Sequence, residues 1–190
     1  MDWPEVKAWR KALRVDLVAR RMATHPTTRR EWSAGIEHHL EAAITARDAQ
    51  VIGFYWPIKA EFDARPLMTR LVVAGRRTAL PVVLAPKRPM EFRLWTPATP
   101  MESGVWDIPV PRPRDLVAPD LVLAPVVGFD DACYRLGYGG GYFDVTLASL
   151  TPRPFAIGVG FAFQHLETVH PQPHDIPMDA IATEAELKTR

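Results

Sequence analysis

Three apolar runs constrain this chain more than any other feature. Residues 51–56 read Val-Ile-Gly-Phe-Tyr-Trp before Pro57, residues 120–130 hold Leu-Val-Leu-Ala-Pro-Val-Val-Gly-Phe between two aspartates, and residues 155–161 read Phe-Ala-Ile-Gly-Val-Gly-Phe. A strand with one wet face alternates polar and apolar residues, whereas an unbroken apolar run requires cover on both faces. Residues 78–84 and 91–95 predict two more strands, and residues 180–183 a last one. Helical spacing falls between them. Val6, Trp9, Leu13, Leu17 and Val18 mark a helix over residues 4–23, which His25-Pro26 ends. Thr28 and Glu31 offer a capping box for a second helix carrying Trp32, Ile36, Leu40 and Ile44. A third covers residues 66–74, with Gly75 as its stop. Strands alternating with helices predict an α/β fold, a three-layer sandwich whose mostly parallel sheet is flanked by helices.

At 190 residues the chain is expected to be a single domain, 1–190, large enough to build its core without disulfides. The lone cysteine, Cys133, suits a reducing compartment, and no apolar run approaches the ~20 residues of a membrane span. The first residues lack the basic start and apolar core of a secretory signal. A cytoplasmic monomer is expected. A net charge of +1 argues against nucleic acid or a membrane surface as a general partner. An RNA-binding reading of the arginine-rich start is the weakest, because acids are interleaved and no stacking module is present. Nineteen prolines gather mid-chain, where residues 96–119 form a long proline-rich loop of the kind that often covers a site.

The densest chemical signal is Arg135-Leu136-Gly137-Tyr138-Gly139-Gly140-Gly141-Tyr142-Phe143-Asp144. Four glycines in five positions let backbone N–H groups crowd around a bulky anion, and the helix predicted from Tyr142 onward aims its positive end at the same place. Asp144 then stands where a phosphate-bound magnesium needs a carboxylate. The pattern is neither the nucleotide P-loop, for want of Gly-Lys-Ser/Thr, nor a good dinucleotide fingerprint, whose acid comes some ~20 residues later.

Three other segments complete a nucleotide-dependent site. Residues 56–61 follow the first strand and supply a flat aromatic surface, Trp56, and a carboxylate, Glu61, which together suit a heterocycle bearing N–H donors. Asp175, in the proline-bounded loop before the last strand, is a second candidate for magnesium. Arg135 and the basic N-terminal helix, with Lys7, Arg10, Lys11, Arg14, Arg20 and Arg21, can neutralise polyphosphate, although most such helix faces are simply solvated.

Taken together and in this order, these segments resemble the 5-formyltetrahydrofolate cyclo-ligase family over nearly the whole chain. The resemblance rests on residues 10–14, Trp56 to Glu61 with Asp63, Leu80-Pro81, residues 120–130, the glycine loop through Asp144, residues 157–164 and His174-Asp175. It implies ATP- and Mg2+-dependent closure of 5-formyltetrahydrofolate to 5,10-methenyltetrahydrofolate, with ADP and phosphate released. Arg10, Lys11 and Arg14 would contact ATP phosphates. Arg135, Gly137, Gly139, Gly140, Gly141, Tyr142 and Phe143 would wrap the nucleotide. Trp56 and Glu61 would hold the folate, Tyr138 and Tyr142 are candidates to face the reacting groups, and Asp144 and Asp175 would hold magnesium. The chain departs from the family pattern at Phe143, where a second tyrosine is common, and at Val145, where a polar residue is. An alternative is a divergent member that binds nucleotide or folate as a regulatory module without turnover.

Overall fold

The computed structural model describes residues 1–190. Helices α1 (Trp3–Ala23) and α2 (Pro26–Ala46) precede β1 (Val51–Gly53), α3 (Arg65–Val73), β2 (Arg77–Val82) and β3 (Glu91–Trp95). A hairpin of β4 (Met101–Ser103) and β5 (Pro109–Pro111) leads to β6 (Leu116–Val117) and β7 (Leu121–Pro125). A second hairpin, β8 (Gly128–Phe129) and β9 (Arg135–Leu136), then enters α4 (Tyr142–Ser149). Strands β10 (Phe155–Val159), β11 (Ala180–Ala182) and β12 (Leu187–Thr189) finish the chain. Eight strands make one sheet in the order β12-β11-β10-β7-β1-β2-β3-β6. The five central strands run parallel, while β3, β6 and β12 join antiparallel at the edges.

The apolar runs behave as strands covered on both faces. Leu121 and Leu123 of β7 pack with Ile52, Ile157 and Val159 against α2 and α3. Their neighbours Val122 and Ala124 point the other way, toward Phe143 and Leu147 of α4. Ile36, Leu40 and Ile44, four residues apart on α2, are all buried, and each contributes roughly 1.5–3 kcal/mol by leaving water. The three layers are thus set by period two in the strands and period 3.6 in the helices.

Several local expectations differ from the structure. Helix α2 begins before the Thr28–Glu31 motif: His25 caps it, its Nδ1 accepting from the Thr27 N–H at 3.2 Å, and Pro26 is the first helical residue. Proline's fixed φ suits that position, so the pair that ends one helix also starts the next. Only Val51–Gly53 of the first apolar run is paired, and the run at 120–130 leaves the sheet after Pro125 to build the β8–β9 hairpin. The proline-rich segment holds the β4–β5 hairpin and an edge strand rather than plain loop. Strand β12 is not foreseen from the sequence.

Helix α1 holds the most consequential difference. Asp2 and Glu5 cap it reciprocally, the Asp2 N–H donating to Glu5 Oε2 at 2.7 Å and the Glu5 N–H to Asp2 Oδ1 at 2.9 Å. Its buried face carries Val6, Arg10, Leu17 and Arg21. Two arginines therefore lie in the stripe that meets the protein, and the solvated basic side reduces to Lys7, Lys11 and Arg20.

Candidate active site

Sheet order reverses at β1, which has β2 on one side and β7 on the other. Where order reverses, the loops leaving neighbouring carboxyl ends diverge and a cleft opens between them. The loop after β1 carries Trp56 and Glu61, and the chain after β7 carries residues 137–141. The site is therefore built across the β1–β7 seam.

On the β1 side, Lys59 and Ala60 take left-handed φ values of 47° and 60°. This tight turn lets Glu61 fold back, so that its Oε2 accepts from the Ile58 N–H at 2.9 Å. Its side chain is only 3% exposed. Burial holds the Glu61 carboxyl above the usual range, against the opposing pull of Ile58, Tyr138, Arg21 and Lys59. Trp56 is half-buried under the Arg65 guanidinium, 4.4 Å from its ring centre, and lines a groove of about 410 Å³ with Asp63, Trp95 and Met101.

On the β7 side, Gly139 and Gly141 have φ of 99° and 67°. Gly141 caps α4 without any side-chain acceptor, leaving the first N–H groups of the helix for an anion. Arg14 reaches this loop from α1, its Nε donating to the Gly137 carbonyl at 2.6 Å. Burial and the nearby Arg10 lower the Arg14 guanidinium below its ordinary value. Arg10 donates to the carbonyls of Val169 and His170 at 3.0 Å and to Asp175 Oδ2 at 2.6 Å. Asp144 is tied to the same loop, because its Oδ1 accepts from the Ile176 N–H at 3.0 Å while Oδ2 pairs with Arg135 at 3.0 Å. The fold thus brings Asp144 and Asp175 to one place, each balanced by an arginine.

No group of three or more His, Cys, Asp or Glu side chains converges as a metal centre. Two carboxylates are a thin donor set for a stand-alone ion. They suit magnesium, a hard cation that takes one or two carboxylates and draws its other ligands from phosphate and water.

The remaining predicted residues divide. Tyr142 faces Trp106 edge-on at 5.6 Å. Phe143, the second residue of α4, is half-buried, packing on one side toward Val122 and Leu147 with the Arg135 guanidinium 5.9 Å over its ring. Lys11 is exposed on α1, next in sequence to the buried Arg10. Tyr138 joins the two sides of the cleft, its hydroxyl donating to Glu61 Oε1 at 2.7 Å. Burial raises that phenol well above its usual range, followed by the Glu61 charge.

Two residues of the site are not singled out by the sequence. Trp106, 66% exposed with φ 58°, stands at the tip of the β4–β5 hairpin over Tyr142. An aromatic in a proline-rich loop offers no spacing to find it by. Arg21 is 1% exposed and donates to Tyr138 Oη at 2.5 Å. Its signal lies in the spacing of Arg10, Arg14, Leu17 and Arg21, which repeats the three- and four-residue step of a buried stripe.

Fold and cleft define a doubly wound α/β protein in which an anion-receiving glycine loop meets a buried carboxylate across the switch point. Residues 6–184 match the model of the 5-formyltetrahydrofolate cyclo-ligase family. The chain belongs to that family, a ligase family of folate one-carbon metabolism. It is 29% identical over 151 residues to the 5-formyltetrahydrofolate cyclo-ligase of Haemophilus influenzae, covering 75% of this chain and 80% of the relative. Identity to the Mycoplasma pneumoniae cyclo-ligase is 26% over 174 residues, 90% of this chain and 96% of the other. Among solved structures, the 5,10-methenyltetrahydrofolate synthetase of Aquifex aeolicus superposes with a TM-score of 0.82 at 27% identity, covering 95% of this chain and 92% of that one. The Mycoplasma pneumoniae synthetase gives 0.76 at 26% identity, covering 92% and 98%.

Proposed function

We propose that the protein converts 5-formyltetrahydrofolate to 5,10-methenyltetrahydrofolate at the expense of ATP, with magnesium, as a single catalytic domain. The observation that carries this reading is the Tyr138–Glu61 hydrogen bond, which sets the phosphate-type loop and the heterocycle-type acid edge to edge. A formyl group on N5 is an amide and a poor electrophile. Transfer of the ATP γ-phosphoryl to the formyl oxygen makes that oxygen a leaving group. N10 of the same molecule then attacks the formyl carbon, the C–O bond breaks, phosphate departs, and the N10 proton is lost.

The residues supply position and charge, which is most of what phosphoryl transfer asks of a protein. Arg14 and the N–H groups of residues 137–141 receive the triphosphate, with Arg10, Lys11 and Arg135 around it and Tyr142 and Phe143 completing the wrap. Asp144 and Asp175 would hold magnesium, which would supply positive charge against the phosphate oxygens. Glu61 accepts from pterin N–H groups, Trp56 packs on the folate, and Trp106 offers it a second aromatic surface from its place over Tyr142. Tyr138 sits between both substrates as a neutral hydrogen-bonding group.

The test is absorbance in the methenyl-folate band with purified protein, omitting 5-formyltetrahydrofolate, ATP or magnesium in turn. A rise that needs all three is expected. A folded protein that binds ATP and produces no rise would replace this reading with the non-catalytic binding module.

A further inference from the structure

The mechanism leaves one buried cation without a task. Arg21 is 1% exposed, lies at the far end of α1 from the phosphate arginines, and spends every arm of its guanidinium at the β1–β7 seam. Nε donates to the Lys59 carbonyl at 3.0 Å, on the turn that folds Glu61 inward. Nη1 donates to the Val126 carbonyl at 3.3 Å, the residue after β7. Nη2 donates to Tyr138 Oη at 2.5 Å and stands 3.6 Å from Glu61 Oε1. Arg21 thus touches both strand exits and the glycine loop at once.

The donor inventory sets the direction of each hydrogen bond. A guanidinium only donates, so the Tyr138 oxygen must accept from Arg21. The single phenolic proton is then committed to Glu61 Oε1, 2.7 Å away. A carboxylate on the receiving end can only accept, which suits its ionised form. We propose that Arg21 is a positioning residue for the cyclo-ligase reaction, directing the Tyr138 proton onto Glu61 and holding Glu61 as the anion that receives the pterin N–H groups. The inference rests on Glu61 being the folate acid.

The groups facing the Glu61 carboxyl support this assignment. Lys59 lies on its own turn, with its ammonium 5.5 Å from the centre of the Tyr138 ring, and Tyr55 and Asp63 flank it on the β1 exit. Tyr55 is itself held neutral by burial, its hydroxyl donating to the Phe62 carbonyl at 3.1 Å. Arg21 is therefore the one buried cation opposing the desolvation of Glu61, while Lys59 acts from the rim. Removing it raises the Glu61 pKa further. The acid limb of folate affinity must then move to higher pH, because the carboxyl stays protonated longer as pH rises.

The experiment is the dissociation constant of 5-formyltetrahydrofolate without ATP, read by tryptophan fluorescence quenching across pH 5–8. Wild type is compared with Arg21→Met, Arg21→Lys, Tyr138→Phe and Glu61→Gln. Arg21→Met should shift the acid limb up by about one pH unit or more, Arg21→Lys by less, and Tyr138→Phe upward as well. Glu61→Gln should weaken binding and abolish the limb. Affinity lost equally at every pH in the Arg21 variants, with no shift of the limb, would mean a purely structural role and overturn the inference. If neither Arg21 variant folds, an unmoved limb in Tyr138→Phe overturns it instead. Unchanged folate binding in Glu61→Gln would remove the Glu61 reading itself, and the inference with it.

Discussion

Three glycines of the phosphate loop differ in what an added methyl would meet, which turns alanine substitution into a measurement of backbone strain. Gly137 has no left-handed φ and no atom within 4 Å of the point where a Cβ would stand, Gly141 has φ 67° in open space, and Gly139 has φ 99° with the Arg14 Cζ 3.5 Å away. Holding alanine in the left-handed region costs about 1–2 kcal/mol. At this chain length each kcal/mol lowers Tm by about 2–4 °C. Gly141→Ala should therefore melt about 2–8 °C below wild type. Gly139→Ala should fall at least as far, because its φ of 99° lies well beyond the left-handed basin near ~57°, while the methyl meets Arg14 only at an ordinary contact distance. Gly137→Ala should be unchanged or slightly more stable, since alanine restricts the unfolded chain. Scanning calorimetry reads stability, and initial rates read the KM for ATP, which should rise for Gly139→Ala while the KM for folate holds. A Gly137→Ala protein destabilised as much as Gly139→Ala would refute the assignment of the cost to φ.

Other outcomes rest on the same geometry. Glu61 has a raised pKa in the folded state, so the native protein binds its proton more tightly than the unfolded chain and the Glu61 contribution to stability is lost as pH rises above about 4.5; the Tm of Glu61→Gln relative to wild type should accordingly increase between pH 4 and pH 7, and a flat difference would contradict the burial argument. Asp144→Asn keeps an acceptor for the Ile176 N–H and removes the charge, so the apparent magnesium affinity of turnover should drop about 10–100-fold with the fold retained by circular dichroism; full activity at low magnesium would dismiss the ligand role. Trp106→Ala should leave Tm nearly unchanged, because the side chain is 66% exposed, yet raise the folate KM about 3–10-fold through the lost aromatic contact; an unaltered KM would place folate elsewhere.

How far the sequence can be read depends on whether a signal is local. Leu121 to Ala124 announce a doubly covered strand within four residues, and the glycine loop announces itself within five, so layers and loop are legible without tertiary information. Strand lengths are not, since Phe54 to Trp56 keep strand-like composition after β1 has ended and only partner positions decide where pairing stops. Strand β12 is short, polar and at an edge, with nothing in its composition to separate it from a tail. The arginines of α1 are hidden for another reason: a cation in the buried stripe contradicts the hydrophobic pattern by which stripes are found. Arg10 and Arg21 are tolerated there because carbonyls and carboxylates from distant loops receive them, and those partners are invisible to a window of about twenty residues.

That distance has a consequence for how the molecule is made. Arg10 pairs with Asp175, 165 positions later, and Arg21 waits 117 positions for Tyr138. A ribosome adding about 5–20 residues per second finishes the Asp175 loop roughly eight to thirty seconds after α1 has been made. During that interval Leu17 lacks its partners Val127, Leu136 and Val169, and two arginines destined for the interior remain hydrated. Helix α1, though made early, is thus among the last to dock, and the newborn protein acquires its catalytic cleft only when that helix meets the Asp175 loop.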